Sequence, residues 1–176
     1  MTPSPEARAV VSIIVACAEN RVIGRGGRLP WSIPLDWNYF LETTRGGVLV
    51  MGRKCYEEMV HMGVINAERR FVVLSRQADY AAENPSCEVA HDFEQGMEKA
   101  RAHRLPIWIC GGQRVYEEAL PIAERLYLTH VHSEVEGDTW FPEWQSRFTH
   151  LLSSHEAEDA GFRLTFMVLS KLKAKC

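Results

Sequence analysis

Asp36 is the only carboxylate in the apolar, aromatic-rich stretch from Leu29 to Phe40. Pro34 suits the first turn of a helix, which places Asp36 in that turn and Phe40 one turn later on the same face. In a cleft, desolvation would favour the protonated carboxyl group, whereas an N–H-rich or cationic partner would favour the ionised form. The pattern predicts either a pocket acid for a flat, nitrogen-rich ring or a carboxylate that only complements the helix dipole.

Arg53, Arg76 and Arg114 each follow the end of a predicted β-strand. The three predicted strands are Val48–Met51, Phe71–Leu74 and Ile107–Cys110. Ligands of open α/β sheets lie outside the carboxyl ends of the strands, so three arginines at such ends indicate a ligand with several phosphate groups. Any one of the three, taken alone, could be a solvated surface residue.

Glycine turns connect two of these strands to helices. Gly52 precedes a helix that begins with Arg53 and Lys54, and Gly111-Gly112 precedes the predicted helix Gln113–Leu120. Backbone N–H groups, the helix dipole and cationic side chains would converge on an anion at both places. Neither turn matches G-x-G-x-x-G or G-x-x-x-x-G-K-[ST], so a dinucleotide would have to bind by another scheme.

The segment from Glu19 to Arg28 is polar and contains Gly24, Gly26 and Gly27. It leads directly into the apolar Leu29-Pro30-Trp31. Because glycines supply freedom and the apolar end supplies a contact for closure, the segment predicts a mobile loop over the mouth of a site. An ordinary surface connection would have the same composition.

Cys55 lies in the first turn of the helix that follows Gly52. The helix dipole and the neighbouring Arg53 and Lys54 would favour a reactive thiolate. Burial would instead raise the pKa of the thiol and leave a small hydrophobic side chain. The sequence leaves both possibilities open.

His130 and His132 lie two residues apart in the predicted strand Leu126–His132 and therefore share a face. No Cys or carboxylate trio accompanies them at metal-ligand spacing, so we predict that they are structural and that the chain has no metal site. No G-x-S-x-G elbow occurs, and no Cys or Ser lies in a motif that pairs it with a histidine base. A pocket acid, a loop and a phosphate-rich cofactor site suit a redox reaction whose chemistry belongs to the cofactor.

The elements that must position these residues are short apolar strands alternating with helices. Val10–Ala18 is typical of a strand buried on both faces, Asp92–His103 predicts a helix, and Phe148–Ser154 with Phe162–Ser170 predicts a closing antiparallel pair. We predict an α/β fold: a single domain with a central, mixed, mostly parallel, twisted sheet of about eight strands and about four flanking helices. Residues 1–9 would form a short N-terminal extension and residues 10–176 the domain.

Composition limits the partners and the compartment. The chain has 176 residues and a formal net charge of -3, which gives no field that attracts nucleic acid or an acidic membrane. Five cysteines without a C-x-x-C pair, and a polar N-terminus unlike a signal peptide, predict reduced thiols in a cytoplasmic protein. No apolar run is long enough to span a membrane. We expect a small-molecule enzyme that is monomeric.

Several ordered motifs of the chain resemble those of one enzyme family. They are Arg21-Val-Ile-Gly24, Leu29-Pro30-Trp31, Pro34-x-Asp36, Val50-Met-Gly-Arg53, Val73-Leu-Ser75, Gly111-Gly112-x-Arg-Val-Tyr116, Thr129-His130 and Gly137-Asp-Thr-x-Phe-Pro142. In these motifs and their order, from about Val10 to Ser170, the chain resembles dihydrofolate reductases.

The resemblance implies that NADPH delivers a hydride to the pterin ring of 7,8-dihydrofolate and gives tetrahydrofolate for one-carbon metabolism (EC 1.5.1.3). Asp36 would bind the pterin and promote protonation of the neighbouring nitrogen, Thr129 would support Asp36, and Arg69 would grip the glutamate tail. The catalytic positions implied are Asp36, Trp31, Leu29 and Thr129. The substrate-binding positions are Ile14, Val15, Asp36, Trp37, Phe40, Arg69, Cys110, Tyr116 and Thr129. The cofactor-binding positions are Ala16, Ile23, Gly24, Gly52, Arg53, Lys54, Cys55, Leu74, Ser75, Arg76, Cys110, Gly111, Gly112, Gln113, Arg114, Val115, Tyr116 and Asp138, of which Asp138 would steady the loop. Antifolate inhibitors are further expected ligands.

Two alternatives belong to other functional classes. One is a related reductase that acts on another pterin or on a riboflavin-pathway intermediate, and Asp36 in its pterin-binding position disfavours it. The other is a non-catalytic folate- or nucleotide-binding module, which would not need the loop, the acid and the cofactor site together.

Overall fold

The computed structural model describes residues 8–171 and contains ten strands and four helices within that range. The strands are β1 (Val11–Ala18), β2 (Val22–Gly24), β3 (Val48–Gly52), β4 (Arg70–Leu74), β5 (Cys87–Ala90), β6 (Ile107–Ile109), β7 (Arg125–Val131), β8 (Thr139–Trp140), β9 (His150–Asp159) and β10 (Phe162–Ser170). The helices are α1 (Pro34–Thr43), α2 (Arg53–His61), α3 (Phe93–Ala102) and α4 (Gln113–Ala119). Most of the extension predicted for residues 1–9, and the last five residues of the chain, lie outside the described range, so the domain boundaries stay a prediction.

Eight strands form one sheet in the order β5-β4-β3-β6-β1-β7-β10-β9. Neighbours from β5 to β7 run parallel, whereas β10 pairs antiparallel with both β7 and β9. The predicted mixed, mostly parallel sheet with a C-terminal antiparallel pair is therefore confirmed. The short strands β2 and β8 form a separate two-stranded sheet. Neither they nor β5 were predicted, because two to four residues carry too little periodicity to be recognised.

Both faces of the large sheet are covered. Alternate residues of a strand point to opposite faces, so in β1 Ile13 belongs to one apolar cluster and Ile14 to another. The first cluster includes side chains from α3 and α4, and the second includes Tyr56 and Met59 from α2 with Phe40 from α1 packed against it. The continuous apolar runs of β1 and β3 follow from this burial on both sides.

Helix α1 lies over the second face without burying any residue completely. Pro34 occupies its first turn, and the N–H of Leu35 donates to Asp159 Oδ2 at 2.8 Å. Tyr39 packs on Phe166 of β10 with ring centroids 4.7 Å apart. The helix is thus held at one side against β10, and its other side, which carries Asp36, faces a cleft.

Candidate active site

Asp36 and Thr129 form the polar centre of the cleft. Asp36 lies in the first turn of α1, and the hydroxyl group of Thr129, which is 2% exposed on β7, hydrogen-bonds to it. Burial raises the pKa of Asp36 above its ordinary value of 3.8, and the hydrogen bond from Thr129 partly opposes that rise. A buried carboxyl group with a raised pKa and one fixed partner can both bind N–H groups and exchange a proton.

The cleft around Asp36 has a volume of about 310 Å³ and is mostly apolar in its lining. Seventeen of the predicted site residues line it: Ile14, Val15, Ala16, Ile23, Gly24, Leu29, Asp36, Trp37, Phe40, Lys54, Cys55, Cys110, Gly111, Gly112, Gln113, Tyr116 and Thr129. Seven further lining residues were not predicted: Gly27, Arg28, Tyr39, Glu58, Met59, Met62 and Thr139. The cleft brings together most of both predicted ligand sites.

Aromatic side chains form two walls of this cleft. Trp37 and Phe40 of α1 stack with ring centroids 5.3 Å apart and an interplanar angle of 19°. Tyr116 of α4 donates its hydroxyl hydrogen to the carbonyl oxygen of Ile14 at 2.9 Å, and burial holds its pKa well above the usual value. Such flat, rigid surfaces suit the faces of planar rings.

Two backbone N–H groups of the loop between β2 and α1 donate to carboxylates elsewhere in the protein. The N–H of Gly26 donates to Asp138 Oδ2 at 2.8 Å, and this bond is the main cause of the lowered pKa of Asp138. The N–H of Leu29 donates to Glu58 Oε1 on α2 at 3.1 Å. Sequence reasoning missed Glu58, because an acidic residue on an amphipathic helix is ordinarily a solvated one.

Trp31 does not line the cleft. Its ring meets Phe162 edge to face at 6.4 Å between centroids and packs in a small cluster with Ile33. Its indole Nε1 is buried and has no hydrogen-bond partner among residues 8–171. A buried indole N–H normally has a partner, so this group is available to a bridging water or a ligand.

The three predicted arginines follow β3, β4 and β6, which are adjacent and parallel in the sheet. Arg53 pairs with Glu57 at 2.9 Å and lies over the ring of Tyr80, and Arg114 approaches Glu118 at 3.4 Å. They lie outside the cleft lining, as do the other predicted cofactor residues Gly52, Leu74, Ser75, Arg76, Val115 and Asp138. The predicted anion site would therefore lie beyond the cleft, along the edge of the sheet where β3, β4 and β6 end.

The glycine turn after β6 forms part of the cleft wall. Gly111 has φ +110°, which favours glycine, and its peptide bond to Gly112 is cis. Its carbonyl oxygen accepts the N–H of Gly52 at 2.8 Å, which joins the two glycine turns. A Cβ atom at Gly112 would meet only Cys55 Sγ, at 3.8 Å. The Gly112 backbone is thus open on the cleft side, as close approach of a ligand requires.

Cys55 lines the cleft, and burial is the main influence on its thiol group. Burial raises the pKa of its thiol to about 11, and the nearby Glu58 adds to the rise. Of the two possibilities that the sequence leaves open, the raised pKa favours a small hydrophobic side chain over an activated thiolate.

Arg69 lies outside the cleft lining, and its side chain is 2% exposed. Its guanidinium donates to Thr44 Oγ1 at 3.0 Å and to the carbonyl oxygen of Leu41, at the C-terminal end of α1, and approaches Glu68 at 3.5 Å. The side chain therefore stabilises the C-terminal end of α1, whether or not it also binds a ligand.

His130 and His132 have a carboxylate beside them that their spacing did not reveal. Glu19 follows the end of β1, and one ligand atom from each of the three residues lies within 4.8 Å of the others. Burial and the neighbouring His132 lower the pKa of His130. The premise that no acid accompanies these histidines was wrong, because β1 and β7 are adjacent in space and far apart in the chain.

The fold and the cleft define an α/β protein whose ligand site lies at the carboxyl ends of parallel strands and centres on one buried acid. A family model described as dihydrofolate reductase matches residues 10–171. The chain is 36% identical over 169 residues to the type 3 dihydrofolate reductase of Salmonella typhimurium, covering 92% of this chain and 98% of the relative. It is 42% identical over 137 residues to the dihydrofolate reductase of Neisseria gonorrhoeae, covering 76% of this chain and 79% of the relative.

A solved structure agrees with the sequence relatives. Dihydrofolate reductase from Enterococcus faecalis, complexed with NADP(H) and RAB-propyl, superposes with a TM-score of 0.83 at 30% identity, covering 94% of this chain and 98% of that one. The chain belongs to the dihydrofolate reductase family. It is accordingly an NADPH-dependent oxidoreductase that reduces dihydrofolate to tetrahydrofolate.

Proposed function

We propose that Asp36 is the group on which this reduction depends in the present chain. The observation that carries the proposal is the buried Asp36 carboxyl group, held by Thr129 at the polar centre of an otherwise apolar cleft. Its two oxygens can accept paired N–H groups of a pterin, and its raised pKa keeps a proton available near neutral pH better than an exposed aspartate would. Trp37 and Phe40 would flank the ring, and Leu29 would close the cleft from the loop.

The chain's residues fit NADPH in two regions. Gly112 leaves open backbone beside the cleft, and Ala16 lines it with a small side chain, where the nicotinamide would supply its hydride. Arg53 and Arg76 would hold the 2′-phosphate, with Arg114 and Lys54 nearby for the remaining phosphate charge. Asp138 and Glu58 would hold the loop in place over the bound cofactor.

Antifolates would enter the same cleft as dihydrofolate, because both present paired donors to Asp36. No helix within residues 8–171 has the length and apolar character that crossing a membrane requires. We further propose a cytoplasmic monomer that binds no nucleic acid, which the formal charge of -3 supports.

The test is the loss of NADPH absorbance after dihydrofolate is added. We expect turnover with dihydrofolate and none with a riboflavin-pathway intermediate, since Asp36 is suited to a pterin. Binding of NADPH and dihydrofolate without turnover would indicate a binding module. Turnover confined to another pterin or to the riboflavin-pathway compound would indicate the related reductase.

A further inference from the structure

We propose that Glu19, His130 and His132 form a binding site for a divalent transition metal and that it takes Zn²⁺. The site lies where β1 and β7 end, on the opposite face of the sheet from Asp36. Thr129 and His130 are consecutive in β7, so their side chains point to opposite faces. This inference is independent of the catalytic role of Asp36.

The ligand set is the first argument. Two imidazoles and one carboxylate can supply three protein ligands to Zn²⁺ and leave a position for water. The potential ligand atoms lie within 4.8 Å of one another, and His132 Nδ1 is 3.8 Å from Glu19 Oε1. Ligand atoms around tetrahedral Zn²⁺ are about 3.4 Å apart, so the separations within the group must shorten by up to about 1.4 Å. Glu19 is exposed and can make that movement.

The orientation of His132 is the second argument. Its Nε2 lies 2.6 Å from the hydroxyl oxygen of Thr165 on β10. If Nε2–H donates to that oxygen, Nδ1 keeps its lone pair and faces Glu19 and His130. Metal-bound histidines almost always have such a partner on the second ring nitrogen, because it fixes both the tautomer and the ring orientation.

The contacts among the three groups leave room for an ion. The 3.8 Å separation between His132 and Glu19 is longer than a hydrogen bond, and the rings of His130 and His132 meet edge to face at 4.6 Å. The backbone holds both histidines, since His130 pairs with Cys17 and Thr165 in the sheet and the N–H of His132 donates to the carbonyl oxygen of Arg163 at 3.0 Å. Three groups that converge without hydrogen-bonding one another are suited to sharing a cation.

The experiment is a Zn²⁺ titration of the metal-free full-length protein, kept reduced with a phosphine and read by competition with a chromophoric chelator. We expect one saturable equivalent. His132→Ala, His130→Ala and Glu19→Gln should each weaken Zn²⁺ binding by at least 10-fold, and Thr165→Val, which removes only the outer partner, by about 10-fold. His150→Ala is the matched control, because His150 is an exposed strand histidine outside the cluster. It should bind Zn²⁺ like the wild type.

Further measurements test whether the variants are misfolded, whether cysteines bind the metal and whether any divalent cation binds. Metal-free turnover and circular dichroism of each variant should match the wild type, since none of the four residues touches the cleft. Co²⁺ in place of Zn²⁺ should give visible d–d bands without a thiolate charge-transfer band. Mg²⁺, which prefers oxygen ligands, should neither bind nor raise Tm, whereas Zn²⁺ at about 100 times its Kd should raise Tm by several degrees.

Three outcomes would overturn the proposal. Wild-type protein without saturable Zn²⁺ binding would show that the cluster is only an ion pair. Wild-type affinity in His130→Ala and His132→Ala would place the metal elsewhere. A strong thiolate band with Co²⁺ would assign the binding to cysteines.

Discussion

At the scale of single residues, the isolation of Asp36 in an apolar segment was enough to single it out, but the segment alone left open whether it is a pocket acid or only complements the helix dipole. Its partner Thr129 could be named only through the family resemblance, since it lies 93 residues further along (129 − 36). Glu58 and Glu19 could not be named at all. Their roles depend on the backbone N–H group or imidazole that the fold brings beside them. The local sequence pattern cannot predict that neighbour.

Replacing Asp36 with Asn tests the acid directly. The amide keeps the shape of the side chain but cannot donate a carboxyl proton or carry negative charge, so we expect kcat with dihydrofolate near neutral pH to fall by roughly 10²-fold or more. Steady-state NADPH absorbance assays measure it. Near-normal turnover at pH 7 would remove Asp36 from the catalytic role.

Replacing Glu58 with Ala tests the loop contact on α2. The change removes the acceptor for the Leu29 N–H. Because this hydrogen bond is exposed to solvent, we expect it to contribute only about 1 kcal/mol to holding the loop over the cofactor, so NADPH should dissociate about 5-fold faster. Stopped-flow fluorescence measures the rate. Glu58→Gln keeps an acceptor oxygen and is the matched control. An equal acceleration in both variants would point to charge and not to the bond with Leu29.

At the scale of elements, the long strands and all four helices were predictable because each has an apolar pattern or a glycine boundary of its own. The predicted ends of β10 matched the observed strand, Phe162–Ser170, whereas those of β9, predicted as Phe148–Ser154 and observed as His150–Asp159, were off by two and five residues. That strand is exposed along most of its length, so its sequence has little apolar alternation. The arginines were assigned to three strand ends without an order for the strands, and the sheet order places β4, β3 and β6 side by side.

The double change Arg53→Ala and Arg76→Ala tests that strand-end edge. Each charged hydrogen bond to a 2′-phosphate contributes about 1.5–3 kcal/mol, so the wild type should prefer NADPH over NADH by about 10² to 10⁴ in kcat/KM. The double variant should lose most of that ratio while the kinetics with NADH stay nearly flat. Equal losses of kcat/KM with NADPH and NADH would show that these side chains do not bind the 2′-phosphate.

Gly112→Ala tests the open backbone beside the cleft. The added Cβ meets only Cys55 Sγ at ordinary contact distance, so Tm of the ligand-free protein should change by less than about 2 °C. The methyl group would occupy space that the cofactor needs, and the Kd for NADPH should rise at least about 10-fold. Isothermal titration measures the Kd. Unchanged binding would show that NADPH does not approach this turn.

At the scale of the whole molecule, burying the Asp36 carboxyl group costs folding stability near neutral pH. Its pKa is higher in the folded protein than in the unfolded chain, so the fold loses stability as pH rises from the ordinary value through the raised one. Asp36→Asn should therefore have a higher Tm than the wild type at pH 7. The difference should shrink as pH falls below about 3, where the carboxyl group is mostly protonated in both states. Calorimetry across this range checks it, and a lower Tm for the variant at pH 7 would contradict the argument.

The position of β1 between β6 and β7 also determines when the protein can fold during synthesis. Both partners of β1 lie about 90 or more residues further along the chain, so a nascent chain on the ribosome carries the apolar β1 unpaired until β6 and β7 emerge, whereas β3 can pair earlier with β4. Asp36 meets Thr129 only then, and β10 must follow to cover β7. Cofactor binding therefore cannot assist folding before synthesis is nearly complete, and we expect chaperones to hold the first hundred or so residues until that point.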